Sequence, residues 1–208
     1  MRVFLCLVAI VFVWTGNALS AEIIHATTDD GKKVILKQDG TWAYAKPHPV
    51  KMSGKAFEKP ATSTKVLKSK KGFYEIWYDP SKWTPNHPNN PEAEFEFRHS
   101  SGDAYGMSIA ERLAMPMATL RQVAINNAKN AAPDLKVVQQ GERIVNGTKV
   151  TWMKMNGTIE GIKFTYYGYY WTGSSGSLQL VMYTGQNLFN EYKKDFDAFL
   201  NGLVITKR

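Results

Sequence analysis

The side chains best suited to chemistry are four histidines and a group of carboxylates. His99 lies four residues before Asp103 across a turn, so this pair could orient a base or hold a metal ion. No third ligand or nucleophile follows at a useful spacing, so a surface hydrogen bond is the favoured interpretation. Glu92, Glu94, Glu96 and Asp103 could likewise supply carboxylates to a divalent ion, but alternation along a strand is typical of a solvated face. Because the sequence also lacks the Gly-rich phosphate loop and the Gly-x-Ser-x-Gly and His-Glu-x-x-His motifs, we predict no catalytic residue, no metal site and no cofactor.

A run of aromatic side chains at 166–171 is the strongest candidate for a binding surface. Side chains alternate along a strand, so Tyr167, Tyr169 and Trp171 share one face. Packing in the core is the favoured role, since aromatic residues are common core material in such sheets. The functional alternative is a groove of these three residues, with Trp83 as a fourth candidate, that binds an amphipathic ligand or the apolar side chains of a partner.

Three predicted strands in residues 149–184 and the helix after them position this run. The small residues at 172–176 are typical of a hairpin turn. The next segment, 188–201, predicts an amphipathic helix, because its apolar residues recur at intervals of three and four. This stripe consists of Phe189, Tyr192, Phe196, Phe199 and Leu200. We expect the helix to lie on the strongly apolar face of the strands.

A second helix is predicted at 116–131, and its apolar stripe is narrower. The stripe consists of Leu120, Val123, Ala124 and Ala128. We expect this helix to cover the other face of the strands, where Tyr167, Tyr169 and Trp171 lie. Because few of its side chains are large, we expect the cover to be incomplete.

Residues 1–20 predict a cleavable secretory signal peptide. Arg2 precedes an apolar stretch at 3–14, and the residues at 18–20 suit a cleavage site. The apolar stretch is shorter than a membrane span, so an uncleaved anchor is the less favoured alternative. Cys6, the only cysteine, lies inside this segment, so the secreted chain would carry no disulfide and no thiolate ligand. We expect a bacterial periplasmic or secreted protein with no transmembrane segment after cleavage.

The formal net charge of +8 favours anionic surroundings such as lipid headgroups, cell-wall polymers and acidic proteins. Nucleic acid is an unsuitable partner for a protein outside the cytoplasm. In addition, most of the basic residues are Lys, which is less suited than Arg to bidentate phosphate contacts. We therefore predict no nucleic-acid binding.

Two shorter segments precede the main domain. Residues 22–45 place two Asp-Gly turns between three short apolar runs and predict a small three-stranded β-meander. The run DGKKVILKQDGTWAY within it resembles a module near the N-terminus of many secreted bacterial proteins of unknown function. Residues 46–71 are rich in Lys and Pro and predict a flexible linker. Through its charge this linker could also contact anionic polymers of the cell envelope.

Residues 72–208 form the main predicted domain, and they resemble a known family. The matching positions are Tyr78, Pro80, Trp83 and the segments 178–184 and 199–203. These residues resemble the PsbP-like fold family, which includes bacterial envelope proteins such as the lipoprotein DcrB. The resemblance implies an α+β domain in which helices flank a central antiparallel β-sheet. It also implies action as an adaptor or assembly factor on larger complexes.

Together these features predict a non-enzymatic binding or adaptor protein of the bacterial periplasm or exterior. The expected partner is an envelope protein complex, and the 46–71 linker is expected to contact anionic envelope polymers. The alternative is binding of a small molecule or a glycan in the groove of Tyr167, Tyr169 and Trp171. A hydrolase acting on the envelope is a third interpretation, although the sequence shows no motif for it.

Overall fold

The structure is a computed structural model that describes four ranges of the chain: 24–27, 33–36, 39–44 and 56–206. The predicted signal peptide at 1–20 and the first part of the predicted linker, 46–55, lie outside these described residues. Among the helices that the structure describes, none is long and apolar enough to cross a membrane. The chain divides into two compact units, Met1–Lys51 and Met52–Arg208, and we call the second one the main unit.

The first unit contains a small antiparallel sheet of three strands. They are β1 (Ile24–Thr27), β2 (Lys33–Leu36) and β3 (Trp42–Tyr44), and β2 pairs with both neighbours. In the turn before β3, the Asp39 carboxylate accepts hydrogen bonds from the backbone N–H and the hydroxyl of Thr41. Gly40, between them, has a φ of 78°, which glycine adopts without strain. This sheet confirms the predicted β-meander.

The main unit combines a large antiparallel sheet, a small one and two helices. Its elements in chain order are β4 (Lys65–Lys68), β5 (Tyr74–Tyr78), β6 (Trp83–Asn86), β7 (Phe95–His99), β8 (Ala104–Glu111), α1 (Met117–Ala131), β9 (Lys136–Val145), β10 (Thr148–Ile159), β11 (Ile162–Gly173), β12 (Gly176–Gly185), α2 (Phe189–Leu200) and β13 (Leu203–Ile205). The large sheet has seven strands in the order β6-β7-β8-β12-β11-β10-β9, and the small sheet has the order β13-β5-β4. This architecture confirms the predicted α+β class with a central antiparallel sheet.

The two helices pack on opposite faces of the large sheet, and each one covers a separate hydrophobic cluster. The cluster under α2 includes Phe196 and Phe199 of the helix together with Leu178 and Leu180 of β12. The cluster under α1 includes Leu120 and Ala124 of the helix, with sheet residues Met153, Met155, Tyr166, Tyr170 and Val181. Because neighbouring positions of β11 contribute to different clusters, both faces of the sheet are buried.

The face with Tyr167, Tyr169 and Trp171 lies under α2, whereas the sequence predicted α1 there. In the sheet register, Tyr169 stands between Trp152 of β10 and Leu180 of β12, and residues opposite each other in a ladder share a face. The ring of Tyr167 meets the ring of Phe189 of α2 edge-on, with 5.7 Å between their centroids. The prediction was wrong because β11 carries large aromatic residues on both faces. Its alternation therefore does not say which face the bulkier helix covers.

Part of the segment predicted as a flexible linker belongs to the main unit. β4 pairs with β5, with Leu67 opposite Ile76. Further upstream, the backbone N–H of Phe57 donates to the carbonyl oxygen of Ile144, and the Phe57 carbonyl accepts from the backbone of Asn146, each at 2.9 Å. β4 lies at the edge of the small sheet, and flanking lysines are a common feature of edge strands. These lysines gave the segment the composition of a solvated spacer, so the sequence did not predict the strand β4.

We expect a chain that begins at Phe73 to be less stable than one that begins at Ala56. The shorter chain loses β4, the Phe57 contact and the hydrogen bonds that Ser69 makes to Glu94. The loss in free energy of unfolding should be at least about 2 kcal/mol, because apolar area and buried hydrogen bonds are removed together. Urea unfolding followed by circular dichroism measures the difference. Equal transition midpoints for the two chains would show that residues 56–72 do not contribute to stability.

Candidate functional site

The structure places the predicted groove residues in the hydrophobic core. Trp83, Tyr167 and Tyr169 are buried, and Trp171 is half-buried with its ring stacked on that of Phe73 at a centroid distance of 5.7 Å. The aromatic stripe of α2 covers this face of the sheet. The α2 helix therefore covers Tyr167, Tyr169 and Trp171, so these three do not form the predicted open groove. Trp83 borders a separate cavity of about 500 Å³ beside α2.

The hydroxyl groups of Tyr167 and Tyr169 take part in a partly buried hydrogen-bond network. Tyr167 donates to a carboxylate oxygen of Asp197 at 2.7 Å, and Tyr169 donates to the side-chain oxygen of Asn201 at 2.9 Å. Arg143 of β9 donates to the Tyr169 hydroxyl oxygen at 3.0 Å and to Asp197 at 3.2 Å. Burial raises the pKa of both tyrosines, so they remain protonated donors. The network fastens α2 to the sheet and gives these residues a structural role.

Asp197 is the ionised acceptor of this network. Burial opposes the charge of its carboxylate, but hydrogen bonds from Lys193 and Tyr167, together with the charges of Lys193 and Arg143, outweigh burial. The result is a pKa below the ordinary value of 3.8. The folded state therefore favours the charged form of this residue.

His99 has partners other than the one suggested by the sequence. Its Nδ1 accepts from the backbone N–H of Ser101 at 3.3 Å and lies 2.8 Å from the Ser101 hydroxyl, while its Nε2 lies 3.2 Å from a carboxylate oxygen of Asp195. The Ser101 hydroxyl also contacts the hydroxyl of Tyr192 at 2.7 Å. In a hydrolase triad Nε2 faces the serine and Nδ1 the carboxylate, so the order here is reversed. The contacts tie the turn after β7 to α2, and Asp103 takes no part in them.

The carboxylates that alternate near β7 do not converge on one point. Glu94 accepts hydrogen bonds from the Ser69 hydroxyl at 2.8 Å, from the backbone of Lys70 and from the Tyr74 hydroxyl at 2.7 Å. It therefore connects the small sheet to the large one. Across the residues that the structure describes, no group of three or more His, Cys, Asp or Glu side chains could hold a metal ion.

A cavity of functional interest lies between α1 and the sheet, and we call it the cleft. Its volume is about 450 Å³. The sheet contributes Met107, Ile109, Met155, Tyr166, Tyr170, Gln179, Val181 and Tyr183. The helix contributes the small side chains of Ala124, Asn127, Ala128, Asn130 and Ala131, and the rim carries Asn90, Glu92 and Glu96. The cleft exists because α1 lacks the large side chains needed to fill the space above the sheet.

Tyr170 is the residue of the cleft lining whose polar group is left unsatisfied. Its side chain is 0% exposed, and its hydroxyl has no hydrogen-bond partner among the described residues. Burial raises the pKa of this hydroxyl, so it stays protonated and can donate. A buried hydroxyl without a partner costs about 1–3 kcal/mol, so native proteins rarely retain one without a reason. The neighbouring Met107 and Met155 are flexible side chains that can adapt to an occupant.

The rim of the cleft is ordered by the loop before β7. The Glu96 carboxylate accepts a hydrogen bond from the backbone of Asn90 at 2.9 Å, and the Asn90 side-chain oxygen accepts from the backbone of Glu92 at 2.9 Å. Burial, followed by the negative charge of Glu96 and by Tyr166 and Tyr105, raises the pKa of Tyr183 to about 12. The rim therefore presents carboxylates next to neutral tyrosines.

Sequence reasoning did not identify this cleft, although one observation pointed towards it. The narrow apolar stripe of α1 predicted an incomplete cover, and the structure has its gap on this side of the sheet. The gap was assigned to the wrong tyrosines, because residues 167 and 169 were placed under α1 instead of Tyr166 and Tyr170. Val123, expected in the stripe, is exposed.

Solved structures show which known fold the main unit has. PsbP (CyanoP) from Synechocystis sp. PCC 6803 aligns with a TM-score of 0.53 and 12% identity, over 71% of this chain and 95% of that chain. The main unit has the PsbP-like fold. LpqN, described as involved in cell envelope biogenesis of Mycobacterium tuberculosis, aligns with a TM-score of 0.51 and 11% identity, over 69% of this chain and 90% of that chain.

These likenesses to PsbP-like proteins concern the fold alone, because the identities are low. They confirm the fold that Tyr78, Pro80 and Trp83 suggested in the sequence. No protein-family model matches the sequence, and no curated protein matches it either. The function of this PsbP-like unit therefore has to be argued from its own residues.

We expect Asp197→Asn to weaken the PsbP-like unit at neutral pH and to reduce its sensitivity to acid. The native carboxylate has a lowered pKa, so its contribution to stability is complete above 3.8 and is lost as the pH falls through the lower native value. At pH 7 the substitution should cost about 1 kcal/mol, because one charge-assisted acceptor is lost. Urea unfolding at a series of pH values measures both effects.

Asp103→Asn is the matched control, since the Asp103 side chain is exposed. It should leave both the stability at pH 7 and the slope below pH 4 unchanged within error. A variant at residue 197 that loses stability in acid as steeply as the natural chain would contradict the assignment of Asp197 as the ionised acceptor.

Proposed function

We propose that this chain is a non-catalytic binding protein of the bacterial cell envelope, and that its PsbP-like unit binds a small amphipathic molecule in the cleft between α1 and the sheet. The observation that carries this proposal is the cleft itself, which measures about 450 Å³ and is lined in part by Tyr170, whose buried hydroxyl has no partner among the described residues. A ligand that offers an acceptor to this hydroxyl would remove the cost of burying it alone.

The size and lining of the cleft support a small ligand. Ligand pockets usually measure about 300–1,000 Å³ and combine an apolar lining with a few polar groups. Here Met107, Ile109 and Val181 supply apolar surface, while Gln179 and the tyrosines supply polar atoms. This proposal keeps the small-molecule alternative from the sequence and moves it to the opposite face of the sheet.

Two further observations support a non-catalytic role in the envelope. The sequence predicts a signal peptide at 1–20, and LpqN, which shares the fold, is described as involved in cell envelope biogenesis. The side chains best suited to catalysis are occupied in structural contacts, since His99 is buried against Asp195 and Ser101. These contacts favour binding over turnover.

We expect Ala128→Phe to abolish ligand binding, because a benzyl group at this position fills the cleft between α1 and the sheet. The measurement is an amide NMR titration of the natural chain with a panel of envelope lipids, sugars and small amphiphiles. A ligand should shift the resonances of Tyr166, Tyr170 and Tyr183, and these shifts should disappear in the variant.

Ala118→Phe is the matched control, because Ala118 lies on the same helix with its side chain exposed and outside the cleft. It should bind as the natural chain does. Undiminished binding by a folded Ala128→Phe chain would contradict the proposal, and so would ligand shifts that map to the α2 face.

A second candidate function, binding of a partner protein, is favoured by the edge strand β9. It is 10 residues long and pairs with β10 on one side. On the other side of β9, the only backbone pairing among the described residues is the bridge between Phe57 and Val145, at the end of the strand. Val138 in the open part is 47% exposed. Free strand edges accept an added strand from a partner, which suits an adaptor on an envelope protein complex.

If β9 holds a partner protein, Val138→Lys should reduce its capture, because a lysine on an edge strand opposes strand addition. The measurement is a cross-linked pull-down from envelope extract at low and high salt. Ile162→Lys is the control, since Ile162 is 59% exposed and lies at the start of β11, away from the edge. Capture that is lost in high salt but not with Val138→Lys would contradict the β9 site. It would favour anionic polymers bound by the Lys-rich 46–71 segment.

A further inference from the structure

The rim of the cleft is locally acidic although the whole chain is basic. Glu92 and Glu96 line it, and no Lys or Arg is among the lining residues. Neither carboxylate forms an ion pair with a residue that the structure describes. Arg98, two residues further along β7, has its guanidinium beside the turn at Gly102, 3.2 Å from where a Cβ on that glycine would lie. The rim therefore has negative charge that no described cation neutralises by direct contact.

Tyrosine rings stand next to this charge. Tyr105 and Tyr183 stack with 5.4 Å between their ring centroids, and Tyr166 packs against Tyr183 at 5.8 Å. Tyr183 is half-buried and lines the cleft, so part of its surface is available to an occupant. Aromatic faces attract cations, and an adjacent carboxylate adds to that attraction.

The sheet side of the cleft combines apolar surface with a few polar groups. Met107, Met155 and Val181 supply apolar surface there, and the Tyr170 hydroxyl is protonated and unpartnered. This arrangement suits a molecule with an apolar body. A hydrogen-bond acceptor that reached Tyr170 would be an additional gain but is not required for the charge recognition at the rim.

We infer that the ligand of this cleft is a small organic cation, an alkylammonium group on an apolar chain, with the ammonium beside Glu96, Glu92 and Tyr183. The inference rests on the proposed function, because it requires that the cleft bind a small molecule. It adds the charge and the chemical class of that molecule. The carboxylates at the rim attract the ammonium group, and the methionines accommodate the chain.

The test uses three ligands with the same alkyl chain and different head groups: hexylamine, hexanol and hexanoate. Each is titrated into the full chain at pH 7, and amide NMR shifts of the cleft residues give the affinity. Hexylamine should bind most tightly and hexanoate most weakly. Glu96→Gln should weaken hexylamine binding about threefold to tenfold and leave hexanol binding unchanged, because it removes one partly exposed charge.

Glu96→Gln retains a side-chain oxygen that can accept from the backbone of Asn90, so the loop should keep its structure. Glu142→Gln is the control, since Glu142 lies on β9 outside the cleft and pairs with Lys149. It should leave the affinity for hexylamine unchanged. Equal loss in both variants would show a general effect of net charge and overturn the inference.

Hexanol or hexanoate binding in the cleft as tightly as hexylamine would overturn the cation inference and leave the proposed function intact. Cleft residues that respond to none of the three ligands at millimolar concentration would also overturn it. The wider panel of lipids, sugars and amphiphiles then decides the proposed function. It fails as well if no compound in that panel shifts the cleft resonances in a way that Ala128→Phe removes. If a trilysine peptide binds in the cleft and hexylamine does not, the small-amine inference is overturned. The cation bound at the rim would then be a lysine side chain of a partner protein.

Discussion

The structure of the main unit depends on one sheet that is buried on both faces by helices of unequal bulk. Strands β10, β11 and β12 carry large residues on each side, so each face needs a cover. α2 brings five buried residues to its face: Phe189, Tyr192, Phe196, Phe199 and Leu200. α1 buries only Leu120 and Ala124. This difference in side-chain volume leaves a cleft between α1 and the sheet, whereas the large side chains of α2 pack directly on theirs.

The polar groups follow the same division. On the α2 side the hydroxyls of Tyr167 and Tyr169 have partners in Asp197 and Asn201, and Arg143 joins them. Such a network is stable because every member is satisfied, and it holds helix and sheet together. On the α1 side the Tyr170 hydroxyl has no partner among the described residues. The polar groups on the α2 side are thus paired, and the unpaired hydroxyl lies on the α1 side.

The rim of the cleft depends on a connection between the two sheets of the main unit. Glu94 accepts from Ser69 and Tyr74 and so anchors the start of β7 to the small sheet. Two residues further on, Glu96 fixes the loop at Asn90. The start of β7 is therefore held partly by Ser69, a residue of the 46–71 segment that the sequence had suggested was a spacer.

The sequence by itself indicated most of the helices and strands and the α+β class, because period-two and period-3.6 patterns and turn residues are local properties of the chain. The PsbP-like fold followed from the family resemblance at Tyr78, Pro80 and Trp83, and strand β4 was missed. The sequence also indicated that the apolar stripe of α1 is too narrow to cover a sheet face completely. Only the tertiary structure decided which tyrosines lie under that helix, since strand pairing sets which face of β11 each helix meets and β11 is aromatic on both. The partners of His99 and Tyr167 were beyond the sequence for the same reason. Asp195 and Asp197 lie 96 and 30 residues away along the chain, and only folding brings them into contact.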